Sequence, residues 1–259
     1  MKFNALLLAA GEGKRLMPLT ANWPKCLMPI HGRPLLDYWL SDLFKVCPQK
    51  LFVNTHYLAE IVERYLSREC FKNQVILMRE KELLGTAGTI LSIKNEAKDL
   101  PTLVIHADNW CGMEMKALLH QHLENRPNHC LITMMTFETD SPQTCGVVEV
   151  NDLNVVYAFY EKQSNPPGNL ANAAVYVIEP EVFDFIESTA ATDFSEDVLP
   201  HFIGKIFAVQ NDSFHRDIGS IKNIKKAMND PVKQVIWDDE DQWFKEFRNN
   251  PIHAAIDTS

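Results

Sequence analysis

Two glycines and two cations near the N-terminus are the residues of this chain best suited to phosphate chemistry. An apolar run at residues 6–10 leads into Gly11 and Gly13, and Arg15 and Lys25 follow closely. Because glycine has no side chain, backbone N–H groups in such a turn can approach phosphate oxygens. An arginine can bind those oxygens through two N–H groups, and a lysine adds a compact charge. The pattern therefore predicts a buried strand that ends in a polyphosphate-binding turn.

The spacing of this turn differs from the common nucleotide-binding fingerprints. A dinucleotide-binding fold needs a third glycine where Leu16 stands, and a P-loop needs Gly-Lys-Ser/Thr after four intervening residues. On these residues alone, a strand-to-helix turn with solvated cations remains an alternative.

A longer series of motifs extends the turn. It reads Gly11-x-Gly13-x-Arg15-Leu16-x-Pro18-Leu19-Thr20 and continues with Pro24-Lys25-x-Leu27, Gly85-Thr86-Ala87-Gly88, Asp108, Glu161-Lys162, Asn172 and Asp217-Ile218-Gly219. Over about residues 1–228 this series resembles the sugar-1-phosphate nucleotidyltransferases, a family that includes mannose-1-phosphate guanylyltransferases, glucose-1-phosphate thymidylyltransferases and short uridylyltransferases. Three positions depart from the family pattern, namely Lys14, Cys26 and the segment His106-Ala107 before Asp108. None of the three removes a charge that the chemistry requires.

The resemblance implies a reaction between two phosphates. A sugar-1-phosphate oxygen attacks the α-phosphorus of a nucleoside triphosphate, and pyrophosphate leaves. The attacking group is already an anion at neutral pH, so no general base is required, and catalysis depends on alignment and charge neutralisation. In this scheme Arg15 stabilises the departing pyrophosphate, Lys25 contacts the α-phosphate, and Lys162 binds the sugar phosphate.

The resemblance also implies two sets of binding residues. The expected nucleotide contacts are Leu8, Ala10, Gly11, Gly13, Arg15, Lys25, Glu82, Gly85 and Thr86. The expected acceptor contacts are Gly146, Glu161, Lys162 and Asn172. Glu161 can accept hydrogen bonds from sugar hydroxyls, and Asn172 offers both a donor and an acceptor.

Two aspartates are the candidate metal ligands and, with Arg15 and Lys25, the candidate catalytic residues. Asp108 directly follows an apolar strand, and Asp217 follows the strand at residues 206–209 after a short loop. Taken singly, such residues are more often helix caps or turn residues. Both match the metal-binding positions of the family, however, and Mg²⁺ is usually held by one or two carboxylates together with substrate phosphates. The resemblance therefore implies a Mg²⁺ site at Asp108 and Asp217.

The composition limits the partners of the chain. Its 259 residues carry a formal net charge of −9, which argues against general nucleic-acid binding. The six cysteines lack the short paired spacings of a zinc cluster or disulfide framework, and free thiols fit a reducing cytoplasm. No apolar run approaches the length that spans a membrane. We expect a cytoplasmic protein without a membrane partner, and a homo-oligomer remains open.

The order of apolar segments predicts an α/β fold. Buried strands are expected at residues 3–8, 51–54, 75–78 and 102–107, separated by helices at 34–46, 59–66 and 87–93. Strands at 145–150 and 155–160 form a predicted hairpin, and another strand follows at 173–178. Asp193 is expected to cap a helix that Pro200 shortens. Together with the resemblance, this order implies a Rossmann-like, three-layer nucleotidyltransferase fold with a mostly parallel central sheet, an added antiparallel hairpin and no C-terminal β-helix.

The predicted domain organisation is a catalytic domain at residues 1–229 and a helical tail at 230–259. Within the domain, residues 1–140 would bind the nucleotide and residues 141–229 the acceptor. Trp237, Trp243 and Phe244 should pack the tail onto the body or onto a partner subunit. The acidic run at 238–241 is expected to be a solvated face.

The resemblance implies an enzyme that converts a nucleoside triphosphate and a sugar 1-phosphate into a nucleotide sugar for polysaccharide or cell-wall synthesis. Guanylyl transfer to mannose or heptose 1-phosphate is preferred. One alternative is cytidylyl or uridylyl transfer to another acceptor, such as a choline-phosphate-like compound or an amino-sugar 1-phosphate. A second is a regulatory nucleotide-sugar binder without turnover, which Lys14 and the altered segment before Asp108 would support.

Overall fold

The structure is a computed structural model that describes residues 2–97, 99–238 and 240–258. In chain order its strands are β1 (Asn4–Leu8), β2 (Pro29–Ile30), β3 (Arg33–Pro34), β4 (Leu51–Thr55), β5 (Ile76–Arg79), β6 (Thr102–His106), β7 (Asn109–Cys111), β8 (Ile132–Glu138), β9 (Gly146–Val150), β10 (Val156–Glu161), β11 (Leu170–Ile178), β12 (Ile206–Gln210) and β13 (His215–Asp217). The helices are α1 (Leu35–Val46), α2 (Ala59–Leu66), α3 (Gly85–Ser92), α4 (Lys94–Ala97), α5 (Met115–Glu124), α6 (Pro180–Thr189), α7 (Ile221–Ala227), α8 (Gln242–Arg248) and α9 (Ile252–Asp257).

The chain forms two compact units. Unit 1 comprises Met1–Leu6, Leu84–Ile105 and Met113–Ser213, and unit 2 comprises Leu7–Leu83, His106–Gly112 and Phe214–Ser259. Each unit is therefore assembled from three separate stretches of chain.

In unit 1 the strands are organised around β11. This strand pairs antiparallel with β6, β8 and β9. Strand β9 also pairs with β10, and the two form the predicted hairpin. A parallel ladder joins β8 to β12. The predicted mixed α/β fold is confirmed, and its antiparallel part is larger than a single hairpin because β11 has antiparallel partners on both sides. The side chain of Asp193 accepts hydrogen bonds from the N–H groups of Ser195 and Glu196, which confirms the predicted helix start.

In unit 2 the strands β4 and β5 pair in parallel. Helix α1 buries the apolar stripe predicted from its 3.6-residue spacing, formed by Leu35, Leu36, Trp39, Leu40 and Leu43. The short strands β7 and β13 form a separate antiparallel ribbon in which Asn109 faces Asp217. The indole N–H of Trp39 donates to the Asn109 carbonyl at 2.8 Å and ties α1 to this ribbon.

Strand β5 differs from its prediction as a buried strand. Ile76 and Leu77 are each 41% exposed. Among the described residues the strand that pairs with β5 is β4, on one side alone. An apolar run of this length cannot distinguish an edge strand from a central one, which explains the error.

Residues of the predicted tail contact the body of unit 2. Phe244 and Phe247 are each 1% exposed, and Trp243 lies against Tyr65 with ring centroids 4.9 Å apart. Asp241 is more than a solvated residue, because its carboxylate caps α8 and accepts from Arg68 Nε at 2.6 Å. Asp239 of the same acidic run lies outside the described residues.

Within the part of the chain that the structure describes, we find no helix that combines the length and the apolar character needed to cross a membrane.

Candidate active site

The glycine turn after β1 depends on Gly13. Its φ is +67°, a left-handed conformation that favours glycine, and a Cβ there would lie 2.8 Å from Thr20 Cγ2. The Thr20 hydroxyl donates to the Gly13 carbonyl at 2.9 Å and fixes the turn. At Gly11, in contrast, a Cβ would meet no heavy atom within 4 Å. The backbone at Gly11 thus faces open space in which a phosphate could approach.

Two polar residues that the sequence analysis missed hold the start of this turn. The N–H of Ala9 donates to Asn54 Oδ1 at 2.7 Å, and Asn54 Nδ2 donates to Glu80 Oε1 at 2.8 Å. Both residues are buried. Asn54 lies near the end of β4 and Glu80 directly follows β5, so polar residues at the carboxyl ends of predicted strands were the available signal. The N–H of Ala107 also donates to the Leu8 carbonyl at 3.0 Å.

Lys25 joins the two predicted metal ligands. Its Nζ lies 2.5 Å from Asp108 Oδ2 and 2.8 Å from Asp217 Oδ1. The Lys25 side chain is only 8% exposed. Burial alone would lower its pKa, but the two carboxylates outweigh this effect and hold the pKa above its ordinary value. Lys25 is therefore a fixed, permanently charged ammonium at neutral pH.

The β7–β13 ribbon positions the two carboxylates beside the Lys25 ammonium. Asp108 immediately precedes β7, and Asp217 ends β13. The N–H of Ile218 donates to the Asp108 carbonyl at 3.1 Å, and Asn223 Nδ2 donates to the Asp217 carbonyl at 2.8 Å. Burial alone would raise the pKa of Asp108. The electrostatic effects of Lys25 and His106 together outweigh burial, so the pKa of Asp108 lies below its ordinary value. Asp108 is ionised at neutral pH.

Arg15 contacts the same cluster from a more exposed position. Its side chain is 71% exposed, and one guanidinium nitrogen lies 2.6 Å from Asp217 Oδ2. A Cβ on Gly219 would lie 2.7 Å from both of these groups, so this contact requires glycine at position 219. Lys14 is 81% exposed and pairs with Glu12 at 3.0 Å. Arg15 and Lys14 thus have room to turn toward a bound anion.

These groups line one cavity of about 380 Å³ in unit 2. Its lining residues are Gly11, Glu12, Gly13, Lys14, Arg15, Lys25, Leu83, Asp108 and Gly219. Glu82, a predicted nucleotide contact, is exposed next to Leu83 but does not belong to this lining. The cavity combines an open glycine backbone with three cations, a combination suited to a polyphosphate.

Unit 1 contains the predicted acceptor residues Glu161, Lys162 and Gly146. Glu161 ends β10, and its Oε2 accepts from the Ser195 hydroxyl at 3.0 Å. Lys162 Nζ lies 2.9 Å from Glu161 Oε1 and 3.9 Å from Glu196 Oε1. A Cβ on Gly146 would lie 2.5 Å from Glu161 Oε2, so glycine leaves room for this carboxylate. Ser195 was missed because only the fold brings it to Glu161.

Asn172 lies on β11, where its amide already has partners in the same strand. Its Nδ2 donates to the Tyr176 hydroxyl at 2.7 Å, and its Oδ1 accepts from the Ala174 N–H at 2.9 Å. The pairing register of β11 with β8 shifts between Asn172 and Tyr176. The side chain therefore stabilises a bulge, and only its second N–H and second lone pair remain for a ligand.

Gly85 and Thr86 lie at the start of α3 in unit 1. Gly85 has φ +75°, and a Cβ there would overlap the carbonyl oxygen of Thr192. The Thr86 hydroxyl oxygen accepts from the Phe194 N–H at 2.7 Å. Both residues thus hold the segment that leads to Ser195.

Among the described residues, no group of three or more histidine, cysteine, aspartate or glutamate side chains is arranged to hold a metal ion. The predicted metal would therefore have two protein ligands, Asp108 and Asp217.

Comparison with known proteins identifies the class to which this chain belongs. The model of the nucleotidyl transferase family matches residues 4–234. The chain belongs to this family, which confirms the resemblance found in the sequence.

Three relatives illustrate the different proteins that are similar to this chain. The chain is 27% identical over 237 residues to a mannose-1-phosphate guanylyltransferase of Mycobacterium tuberculosis, with 90% of this chain and 65% of that protein covered. It is 30% identical over 230 residues to a mannose-1-phosphate guanylyltransferase catalytic subunit beta of Drosophila melanogaster, with 86% and 61% covered. A bifunctional protein GlmU of Methanococcus aeolicus is 28% identical over 240 residues, with 90% and 55% covered. The chain thus spans only 55% to 65% of the lengths of these relatives.

Solved structures show the same fold. HddC of Yersinia pseudotuberculosis superposes with a TM-score of 0.71 at 23% identity, covering 88% of this chain and 98% of that one. A Bacillus anthracis protein proposed to be a glucose-1-phosphate thymidylyltransferase, solved with sucrose, gives a TM-score of 0.80 at 17% identity and covers 93% and 98%.

Proposed function

We propose that this protein transfers a nucleoside monophosphate group from a nucleoside triphosphate to a sugar 1-phosphate. The observation that carries the proposal is the cluster in which Lys25 meets Asp108 and Asp217 while Arg15 contacts Asp217. A buried ammonium between two carboxylates is already oriented before any substrate binds. Such preorganised charge is the main requirement of a phosphoryl-type transfer.

The role we propose for each cation follows from how exposed its side chain is. Lys25 is buried and held from two sides, so it fits the α-phosphate, whose position must be fixed during attack. Arg15 is exposed, so it can follow the departing pyrophosphate, and its fork of N–H groups can bind two oxygens. The open backbone at Gly11 would contact the remaining phosphate oxygens.

The donor set of this site fits Mg²⁺. One oxygen of Asp108 and one of Asp217 already lie within 2.8 Å of a single cationic atom, so the two carboxylates converge. Hard oxygen donors of this kind are the ligands that Mg²⁺ prefers. We assign Asp108 and Asp217 as the residues that would hold it. When bound, the ion would neutralise phosphate charge.

For the acceptor we assign Glu161, Lys162, Gly146 and Asn172. Lys162 is 61% exposed and tethered to Glu161, so its ammonium can be offered to a sugar phosphate. Glu161 keeps acceptor capacity for sugar hydroxyls beside its bond from Ser195.

Guanylyl transfer is the preferred form of the reaction. Two of the relatives are named mannose-1-phosphate guanylyltransferase, and HddC was also solved with GMP-PN. The GlmU relative and a UTP–glucose-1-phosphate uridylyltransferase of Synechocystis, 27% identical over 249 residues, support uridylyl transfer as the alternative.

The test is a substrate panel read by pyrophosphate release. GTP, UTP, dTTP and CTP are each combined with mannose, glucose and glucosamine 1-phosphates, with Mg²⁺ present or chelated. We expect release with a sugar 1-phosphate, greatest with GTP, and loss of release on chelation or in Asp108→Asn and Asp217→Asn. Binding of nucleotide sugars without release from any pair would instead favour the regulatory binder.

A further inference from the structure

A second cavity of unit 2 has no place in the proposed reaction. It measures about 420 Å³ and lies where the tail helix α8 packs over α2 and the loop at residues 22–23. Its lining residues are Asn22, Trp23, Glu60, Ile61, Arg64, Trp243, Glu246, Phe247 and Asn250. None of these residues lines the cavity that contains Lys25. The volume is in the range of small-molecule sites.

The wall of this cavity, here called the aromatic wall, consists of Trp23, Trp243 and Phe247. The rings of Trp243 and Phe247 stack at 5.3 Å and 15°, and those of Trp23 and Phe247 at 5.8 Å and 28°. The indole N–H of Trp23 is already donated to the Leu27 carbonyl at 2.8 Å. Phe247 is buried. The wall is therefore rigid, and Trp23 can offer a ligand its ring but no hydrogen bond.

The rim of the cavity carries planar polar side chains. Glu60 is 87% exposed, and its carboxylate lies no closer than 3.8 Å to Arg79. Arg64 pairs with Glu246 yet retains further N–H donors, and Asn22 is exposed. The rim thus offers both acceptors and donors beside an apolar surface. A polyhydroxylated ring has the matching chemistry, because its hydroxyls donate and accept while its C–H faces are apolar.

The charge of the rim decides which sugars fit. Among the lining residues, Glu60 and Glu246 carry two negative charges against the single positive charge of Arg64. Arg79, which lies 3.8 Å from Glu60, also pairs with Glu63 at 3.5 Å, so the excess of one negative charge remains. A phosphate group would be repelled by this excess, so nucleotides and sugar phosphates are disfavoured. We propose that this cavity binds an uncharged pyranose, as a free sugar or as a residue of a glycan, separately from the catalytic cluster.

The proposal is tested by ligand-detected NMR on the full chain with methyl α-mannoside, methyl α-glucoside, mannobiose and, as the anionic probe, mannose 6-phosphate. We expect at least one uncharged glycoside to bind and mannose 6-phosphate to bind more weakly. Tighter binding of mannobiose than of the methyl glycosides would identify a glycan residue as the ligand, and equal binding would identify a free sugar.

Matched variants locate the signal. Glu60→Gln and Asn22→Ala, both at exposed rim positions, should each weaken glycoside binding by about tenfold, as expected for loss of one hydrogen bond. The control Glu69→Gln, whose 85% exposed side chain pairs with Lys72, should not. Nucleotidyl transfer should be unchanged in all three, so the test is independent of the proposed function. Absence of binding, or a signal lost in Glu161→Gln but retained in the rim variants, would overturn the proposal.

Discussion

At the scale of single residues, the cluster around Lys25 determines how the site responds to pH. The pKa of Lys25 is raised above 10.5, so its ion pairs contribute stability at lower pH and are lost as pH rises through the raised value. The pKa of Asp108 is lowered below 3.8, so its contribution is present at higher pH and is lost as pH falls through the lowered value. Between these limits both groups stay charged.

We therefore expect no inflection from this cluster in the profile of kcat/KM between about pH 5 and pH 9. The measurement compares the pH profile of kcat/KM for the wild type with that for Lys25→Arg. This variant keeps a positive charge, carried by a guanidinium with an ordinarily high pKa. An inflection near neutrality that moves in Lys25→Arg would show that Lys25 titrates in the working range, contrary to this expectation.

Lys25, a predicted catalytic residue, and Lys162, a predicted acceptor contact, should have different effects in steady-state kinetics. Lys25→Ala removes a fixed charge and leaves Asp108 and Asp217 without their shared cation, so kcat should fall by about 10²-fold or more. Lys162→Ala removes a 61% exposed charge and should mainly raise the KM for the sugar phosphate. Titration with each substrate checks the assignment. If Lys162→Ala lost affinity for the triphosphate instead, the two roles would have to be exchanged.

At the scale of elements, two alanine variants of the glycine turn, Gly13→Ala and Gly11→Ala, can be compared directly. Gly13→Ala forces a side chain into a left-handed position beside Thr20, so it should destabilise the fold by at least about 1–2 kcal/mol. Gly11→Ala meets no atom within 4 Å, so stability should be retained while triphosphate affinity falls. Thermal melts and nucleotide titration separate the two effects. Unchanged affinity in folded Gly11→Ala would mean that phosphate does not approach there.

Elements with strong periodicity were predictable from the sequence, and the contacts between them were not. Helix α1 followed from its apolar stripe, and Asp193 from its capping pattern. The β7–β13 ribbon, which brings Asp108 and Asp217 together, has only three residues in each strand, too few for a periodic signal. The Asn54–Glu80 and Ser195–Glu161 bonds join residues distant in sequence, and such pairs become visible only after folding.

At the scale of the whole molecule, the tail contributes to the packing of unit 2. Arg68 has a side chain that is 2% exposed, and it bonds both Asp37 and the tail residue Asp241. Phe244 and Phe247 bury nearly all of their surface. The start of the tail also contacts the ribbon, since Asp230 accepts two bonds from Arg216, the neighbour of Asp217.

Two truncations should separate these contributions. A chain ending at Asp230 loses the aromatic contacts and should melt lower by roughly 10 °C or more, because each buried side chain contributes about 1.5–3 kcal/mol. It should still turn over at temperatures where it is folded. A chain ending at Asn229 also loses the Arg216 bonds and should lose kcat in addition. Equal kcat in the two truncations would show that Asp230 does not position Asp217.

The assembly of unit 2 from residues 7–83, 106–112 and 214–259 has a consequence for biosynthesis. Arg15 and its partner Asp217 are separated by 202 positions, and at ordinary translation rates the ribosome needs on the order of 10–40 s to make that stretch. During this interval Lys25 can meet Asp108 but not Asp217. The cluster is therefore complete only after Asp217 has been synthesised. A chain prematurely terminated before Asp217 would carry the glycine turn, Arg15 and Lys25 without the second carboxylate of the cluster.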